Sequence, residues 1–237
     1  DAVPIQPTKE YQYDDPHTKA HLLLQAHFTR LSLPPALQAD QVKVVQRAYQ
    51  LAQALFDVCA SHGWLGTACA AADFCQMLVM AVWDYQHPML CIPNVSQDLI
   101  KIISEMGIKN VYDFVDIEDD EKKAQLLQQC GGKAQQRLAI QAINRYPSVS
   151  VSVSDLGGDV QVVVESDIEE GPIIAPLFPT SGKGDQWWVV LGDDQDQVVA
   201  VKKLRLTEER HNVVFEGARG ATRVLLLNDS YVGCDQE

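Results

Sequence analysis

Gln186-Trp187-Trp188-Val189-Val190-Leu191 is a run of strand-forming residues with almost no polar face to offer water. Alternate side chains of an extended chain point to opposite sides. Trp188 and Val190 therefore share one face, and Trp187, Val189 and Leu191 the other. A strand apolar on both faces has to be covered on both. One face is expected to fill the space between two sheets and the other to pack against a helical layer, which would make helices and sheets one rigid body.

Around this run, from Tyr146-Pro147 onward, the hydrophobic period is two. Val149-Ser150-Val151-Ser152-Val153 alternates cleanly. Further strand runs are Val160–Glu165, Pro172–Ala175, Gln197–Lys203, Asn212–Glu216 and Thr222–Leu227. Gly157-Gly158, Ser181–Asp185, Gly192–Asp194 and Gly217–Gly220 punctuate them. Seven short strands at this spacing predict an immunoglobulin/fibronectin-III-like β-sandwich over residues 147–237.

Residues 1–90 have the helical period instead. Asp15-Pro16 reads as an N-cap followed by proline at the first helical position, with Leu24, Phe28 and Leu31 on one stripe and a stop at Pro34-Pro35. Asp40 is expected to open a second helix carrying Val42, Val45, Tyr49, Ala52, Phe56 and Cys59, which Gly63 ends. Thr67 is expected to cap a third helix, apolar nearly all round and so central to a bundle. Residues 91–146 carry shorter helices, Ser96–Met106, Asn110–Val115, about Glu118–Gln129 and Lys133–Arg145. Ile92-Pro93-Asn94-Val95, Leu99, Ile103, Gly107-Ile108 and Val111 have helix-hairpin-helix spacing. Such hairpins offer turn N–H groups to a phosphate. Here the turn positions are Asn94 and Ser96, and Asn accepts a positive φ better than most residues. The fold class is α+β, with a helical bundle, a helix-hairpin-helix segment and a sandwich.

The net charge of −13 is unevenly placed. Residues 1–90 hold 8 acids and 5 bases, residues 91–146 hold 8 and 7, and residues 147–237 hold 16 and 7. An acidic surface repels phosphate backbones. RNA contact is thus confined to the near-neutral middle, at Lys101, Lys109, Lys133, Arg137 and Arg145, and is expected to be weak. The acidic turns Asp193, Asp194 and Asp196, with Asp167, Glu169 and Glu170, are the alternative: a docking face for a basic protein, or simply a solvated surface. The apolar run 68–83 is broken by Asp73 and Gln76 and is too short for a membrane span. No basic stretch precedes an apolar one in signal-peptide fashion, so the expectation is a soluble, non-secreted chain. The six cysteines show no CxxC pair, which favours a reducing compartment over disulfides or zinc.

No catalytic, cofactor or metal set stands out. Gly182-Lys183-Gly184 lacks the earlier glycine and the Ser/Thr of a phosphate loop and reads as a hairpin loop. His17 and His21 share a helical spacing but have no third ligand. Glu118-Asp119-Asp120-Glu121 lacks the alternation and glycine of a calcium loop and suits the first turn of a helix.

Longer strings carry a resemblance. They are Asp15-Pro16-His17-x-Lys19 with Leu22–His27, Gly63-Trp64-Leu65, Gln76-Met77, Trp83 and Asn144-Arg145-Tyr146-Pro147. They continue with Gly171-Pro172-x-Ile174–Pro179, Trp187-Trp188-Val189-Val190-x-Gly192-Asp193 and Ser230-Tyr231-x-Gly233–Glu237. Together they resemble the Sec-sixty-three-type domain of large RNA helicases, most closely the C-terminal one of the Brr-two family of the spliceosomal U-five particle. The resemblance implies a nuclear setting and a helicase that unwinds the U-four/U-six duplex. It also implies a non-catalytic docking role for this segment, with other spliceosomal proteins and the parent chain's motor domains as partners. Three departures accompany it: the family has an extra helical stretch between Glu10 and Tyr11, a longer segment over Val153–Val160, and a further strand beyond Glu237. Residues are therefore expected to be missing at those points. The alternative is a nucleic-acid-guiding module of a related helicase, such as the activating-signal-cointegrator helicase. The Gly-Cys-Asp-Gln-Glu ending favours the spliceosomal member.

Overall fold

In the computed structural model, residues 3–5, 15–167, 171–179 and 183–237 are described. Among these, seven α-helices precede six strands: α1 Pro16–Phe28, α2 Pro35–Ser61, α3 Leu65–Met80, α4 Gln97–Glu105, α5 Val111–Val115, α6 Asp120–Gln128 and α7 Lys133–Asn144. The strands are β1 Ser148–Asp155, β2 Val160–Asp167, β3 Trp187–Gly192, β4 Val198–Leu204, β5 Arg210–Phe215 and β6 Arg223–Asn228.

Local chemistry accounts for most boundaries. Asp15 caps α1 by accepting from Thr18 N at 2.8 Å, with Pro16 in the first turn. Ser96, Asn110 and Asp119 cap α4, α5 and α6 in the same way. Gly63, at φ +80°, closes α2 as Trp64 N–H donates back to Cys59 O. Two helix starts differ from the sequence expectation. α2 begins at Pro35 rather than Asp40: a second proline sets φ for a first turn as readily as it ends a helix. Asp40 then lies within the helix, where it pairs with Lys19, and Val42 is exposed. α3 begins at Leu65, not after Thr67, because Leu65 N–H is already satisfied by Asp196 O from the sheet side.

The strands form two three-stranded antiparallel sheets, ordered β1-β2-β5 and β4-β3-β6. Residues 172–175 form no strand; Arg145 and Lys183 occupy backbone groups at Pro172 and Ile173 instead. With six strands among the described residues rather than seven, the sheets do not close into a clear immunoglobulin sandwich.

β3 is buried along its whole length. Trp187, Val189 and Leu191 join a hydrophobic cluster with Val162, Val164, Val213 and Phe215 of the other sheet and with Ile103, Val111 and Phe114 of the middle helices. Trp188 and Val190 join a second cluster with Phe56 of α2 and Leu65, Ala68, Ala72 and Cys75 of α3. The two-faced reading of this strand is what the packing shows. At its end Gly192 abuts α3, and a Cβ there would lie 2.6 Å from Leu65 Cδ2.

Candidate docking and nucleic-acid surfaces

The β3–β4 turn is built from its own acids. Asp193 Oδ1 accepts from Gln195 N and Gln197 N, at 2.8 and 2.9 Å. Asp196 sits at φ +59° and reaches away from the turn: Oδ2 accepts from Gly66 N at 3.2 Å and Oδ1 from Arg223 Nη1 at 3.3 Å. Both residues therefore brace the turn, and Asp196 also braces the start of α3. Asp194 is exposed, and among the described residues no hydrogen bond engages its carboxylate. Asp167 ends β2 and is exposed, while Glu169 and Glu170 lie outside the described residues.

A turn precedes α4 in the middle segment. Asn94 has φ +66°, but its amide points to Gln135 O of α7. Lys101 is exposed and pairs with Asp98 one turn before it, at 2.9 Å. Lys109, Lys133 and Arg137 are exposed. Arg145 is committed elsewhere: Nη1 donates to Pro172 O at 2.7 Å, and Gly171, at φ +142°, leaves room for its guanidinium. The five basic residues thus do not form one patch, since Arg145 belongs to an internal joint.

Sequence reasoning missed a buried polar network. Asp229 accepts from Lys183 Nζ at 2.9 Å, Gln186 N at 3.0 Å and Tyr49 Oη at 2.5 Å, with Gln53 Nε2 at 3.3 Å. Burial and the Asp229 charge hold the Tyr49 phenol well above its ordinary range, so Tyr49 is the donor. Lys183, read from sequence as a hairpin-loop residue, is the cation of this network. Close by, Gln76 Nε2 donates to Asn228 O and to Asp235 Oδ2, both at 2.8 Å, and Asn228 N donates to Asp235 Oδ1.

Burial pushes the Asp235 carboxyl up to about 7, against the hydrogen bonds from Asn228 and Gln76. The folded chain then binds a proton that the unfolded chain has already lost. This contribution is complete below the ordinary aspartate value and disappears as pH rises towards 7. Urea denaturation between pH 4 and pH 7 is expected to show a downward slope of stability that Asp235→Asn flattens. An unchanged slope in the variant would assign it to other groups. His27, buried with Nε2 donating to Leu78 O at 2.7 Å, works in the opposite sense. Burial lowers its pKa, so its contribution is lost as pH falls through and below the ordinary histidine value.

A family model, the Sec63 Brl domain, matches residues 1–237. The chain belongs to the Sec63 Brl domain family. Among similar proteins is the U5 small nuclear ribonucleoprotein 200 kDa helicase of Homo sapiens, 35% identical over 242 residues, covering 95% of this chain and 11% of that protein. The pre-mRNA-splicing factor brr2 of Schizosaccharomyces pombe is 33% identical, with 95% and 11% covered. The DExH-box ATP-dependent RNA helicase DExH12 of Arabidopsis thaliana is 32% identical, with 94% and 11% covered. The chain spans about a tenth of the length of these relatives.

In this Sec63 Brl domain the strings that carry the resemblance meet at the joints between helices and sheets. Arg145 holds Pro172, and the Tyr146 hydroxyl donates to Val232 O. Phe178 packs edge-on against Tyr49 of α2 at 5.3 Å. Trp188 stacks on Phe56 at 4.2 Å. Among the described residues no group of His, Cys, Asp and Glu could hold a metal ion.

Proposed function

We propose that the chain is a non-catalytic accessory and protein-docking module of a spliceosomal RNA helicase acting on the U-four/U-six duplex in the nucleus. The similar segments of the splicing helicases support this reading. So does the division of labour in the chain: interior polar groups brace the joints, while Asp167 and Asp194 stand exposed. In this reading residues 1–90 form a helical bundle, residues 91–146 a helix-hairpin-helix segment and residues 147–237 an immunoglobulin-like sandwich. The parent helicase's motor domains and other spliceosomal proteins are the partners.

The observation that carries the docking role is the outward acid that no internal bond uses, at Asp194 and Asp167. Such charges steer a basic partner and act mainly on association rate. Asp193 and Asp196 are excluded from the test because they brace the turn. The partner would be captured from nuclear extract and identified by mass spectrometry, and its association then timed. Asp167→Asn with Asp194→Asn is expected to slow association at low salt and flatten its salt dependence, with an unchanged melting temperature. An on-rate equal to wild type at low salt would leave these acids as a solvated surface.

RNA is a secondary partner in this reading. The left-handed Asn94 supports a hairpin turn, but its tie to Gln135 and the Lys101–Asp98 pair leave few free cations for phosphate. Single-stranded RNA is expected to bind weakly, with affinity that falls steeply with salt. Fluorescence anisotropy across a salt series measures it. Tight binding at physiological salt would move the assignment to the nucleic-acid-guiding alternative.

A further inference from the structure

Three of the four sheet edges are each engaged at some point by another part of the chain. On β4, Val198 N donates to Gly63 O, Trp64 bridges Gln197, and a register shift bends the strand at its start. On β6, Leu226 and Gln236 exchange both backbone bonds. On β5, Lys202 from the other sheet donates to Val214 O. Bridges, bulges and lysines of this kind prevent an edge from pairing with foreign strands.

Among the described residues β1 has no such cover over its second half. Its pairing with β2 runs unbroken through eight residue pairs from Ser148 to Asp155, without lysine, proline or bulge. Two observations fix which backbone groups face outward. Leu156 N donates to Asp159 O across the hairpin, which places the even-numbered positions on the β2 side. Val149 O, on the other side, accepts from the Gln236 side chain. The N–H and C=O groups of Val151, Val153 and Asp155 therefore point away from the sheet, and among the described residues none of them is bonded.

The surroundings suit a further strand. Ser150, Ser152 and Ser154 are small and exposed on the outer face. On the inner side a cavity of about 360 Å³ opens beside the edge, lined by Val153, Val160, Ala218, Ala221 and Val224 together with the polar Asp155, Arg219 and Thr222. Val153 is 49% exposed at its mouth. An inward side chain of an added strand would enter it. Acids flank the edge: Asp155 and Asp159 at one end, where each also accepts from loop N–H groups, and the exposed Asp167 at the other. A second copy would bring the same flanking acids and the same charge of −13, so self-pairing is opposed.

We infer that the free edge of β1 captures an extended segment of another polypeptide, β-branched at its centre and flanked by Lys or Arg, as an added strand. This rests on the docking reading and gives it a recognition mode: main-chain bonds supply affinity and the cavity supplies side-chain selection.

The test uses the full 237-residue chain and a fluorescent, acetylated and amidated peptide, Lys-Lys-Val-Thr-Val-Thr-Val-Lys-Lys. Saturable binding is expected by anisotropy. Val153→Pro should weaken it by about tenfold or more, since it removes one outward donor and blocks its neighbour. The fold should persist, because proline is accepted where the N–H faces out of a sheet. A probe N-methylated at alternate residues should lose binding to the wild-type chain, a comparison that holds even where the proline variant fails to fold. A Glu-flanked probe should bind more weakly than the Lys-flanked one. The inference is overturned by the absence of saturable binding, by equal binding of the proline variant or the N-methylated probe, or by indifference to the flanking charge. Sedimentation showing a dimer that Val153→Pro dissolves would make a second copy the occupant and also overturn it. Failure here, with slowed partner association in the Asp167/Asp194 variant, would reject the edge and keep the docking role. Failure of both would leave neither the edge nor the acidic turns as the docking face.

Discussion

Trp188→Ala is expected to lower unfolding free energy by about 3–5 kcal/mol, the range for a fully buried aromatic cut to alanine. The side chain is 0% exposed and stacks on Phe56 at 4.2 Å and 22°. It is the sheet's main contribution to the cluster shared with α2 and α3. Its indole N–H has no partner, so part of the burial gain is offset by a stranded donor. Trp187→Ala should cost a similar amount, but in a different place. Trp187 donates to Asp185 Oδ2 at 2.7 Å and fills the cluster between the two sheets. Equilibrium denaturation gives the magnitude, and amide hydrogen exchange gives the location. The first variant should deprotect α2 and α3, and the second β2 and β5. A midpoint unchanged by either substitution would be incompatible with the two-faced strand, and matching exchange patterns would deny that its faces serve separate clusters.

Legibility followed the range of the interaction. Trp187 and Trp188 could be assigned to opposite faces because the period of a strand is local and absolute. Asp15 and Gly63 could be read as caps because a cap acts within four residues. Asn94 could be given its left-handed turn for the same reason. The start of α2 was obscured because Pro34-Pro35 carries both a stop and a start, and nothing local decides between them. The start of α3 depends on Asp196, a residue 131 positions downstream of Leu65, so no window over α3 contains it. The same distance hid the role of Asp196, whereas the bonds of Asp193 to Gln195 N and Gln197 N are local and simply went unread. Asp193, Asp194 and Asp196 look alike as a charge run, yet two of them are structural acceptors and one is free. Lys183 and Asp229 are 46 residues apart and each sits in a polar stretch, so neither shows from sequence that it is buried.

That pair carries the second large expectation. Lys183→Met should destabilise the chain by about 3–5 kcal/mol, the usual cost of leaving one member of a buried ion pair uncompensated. The side chains are 11% and 2% exposed, so water cannot replace the lost partner. Asp229 would keep the hydroxyl of Tyr49, the amide of Gln53 and the backbone N–H of Gln186, but no cation. Asp229→Leu should cost as much from the other side, stranding the lysine and the Tyr49 hydroxyl together. The informative quantity is the double variant, Lys183→Met with Asp229→Leu. Removing both charges removes the uncompensated one, so the double variant should lose clearly less than the sum of the singles. Additive losses would mean that the two groups act independently, through packing rather than as a pair. Because Tyr49 and Gln53 belong to α2, Lys183 to the segment before β3 and Asp229 to the end of β6, the site of loosening is predicted as well. Hydrogen exchange in Lys183→Met should rise in α2 and at the end of β6 together, while the hairpin of β1 and β2, which has no residue in the network, keeps its protection.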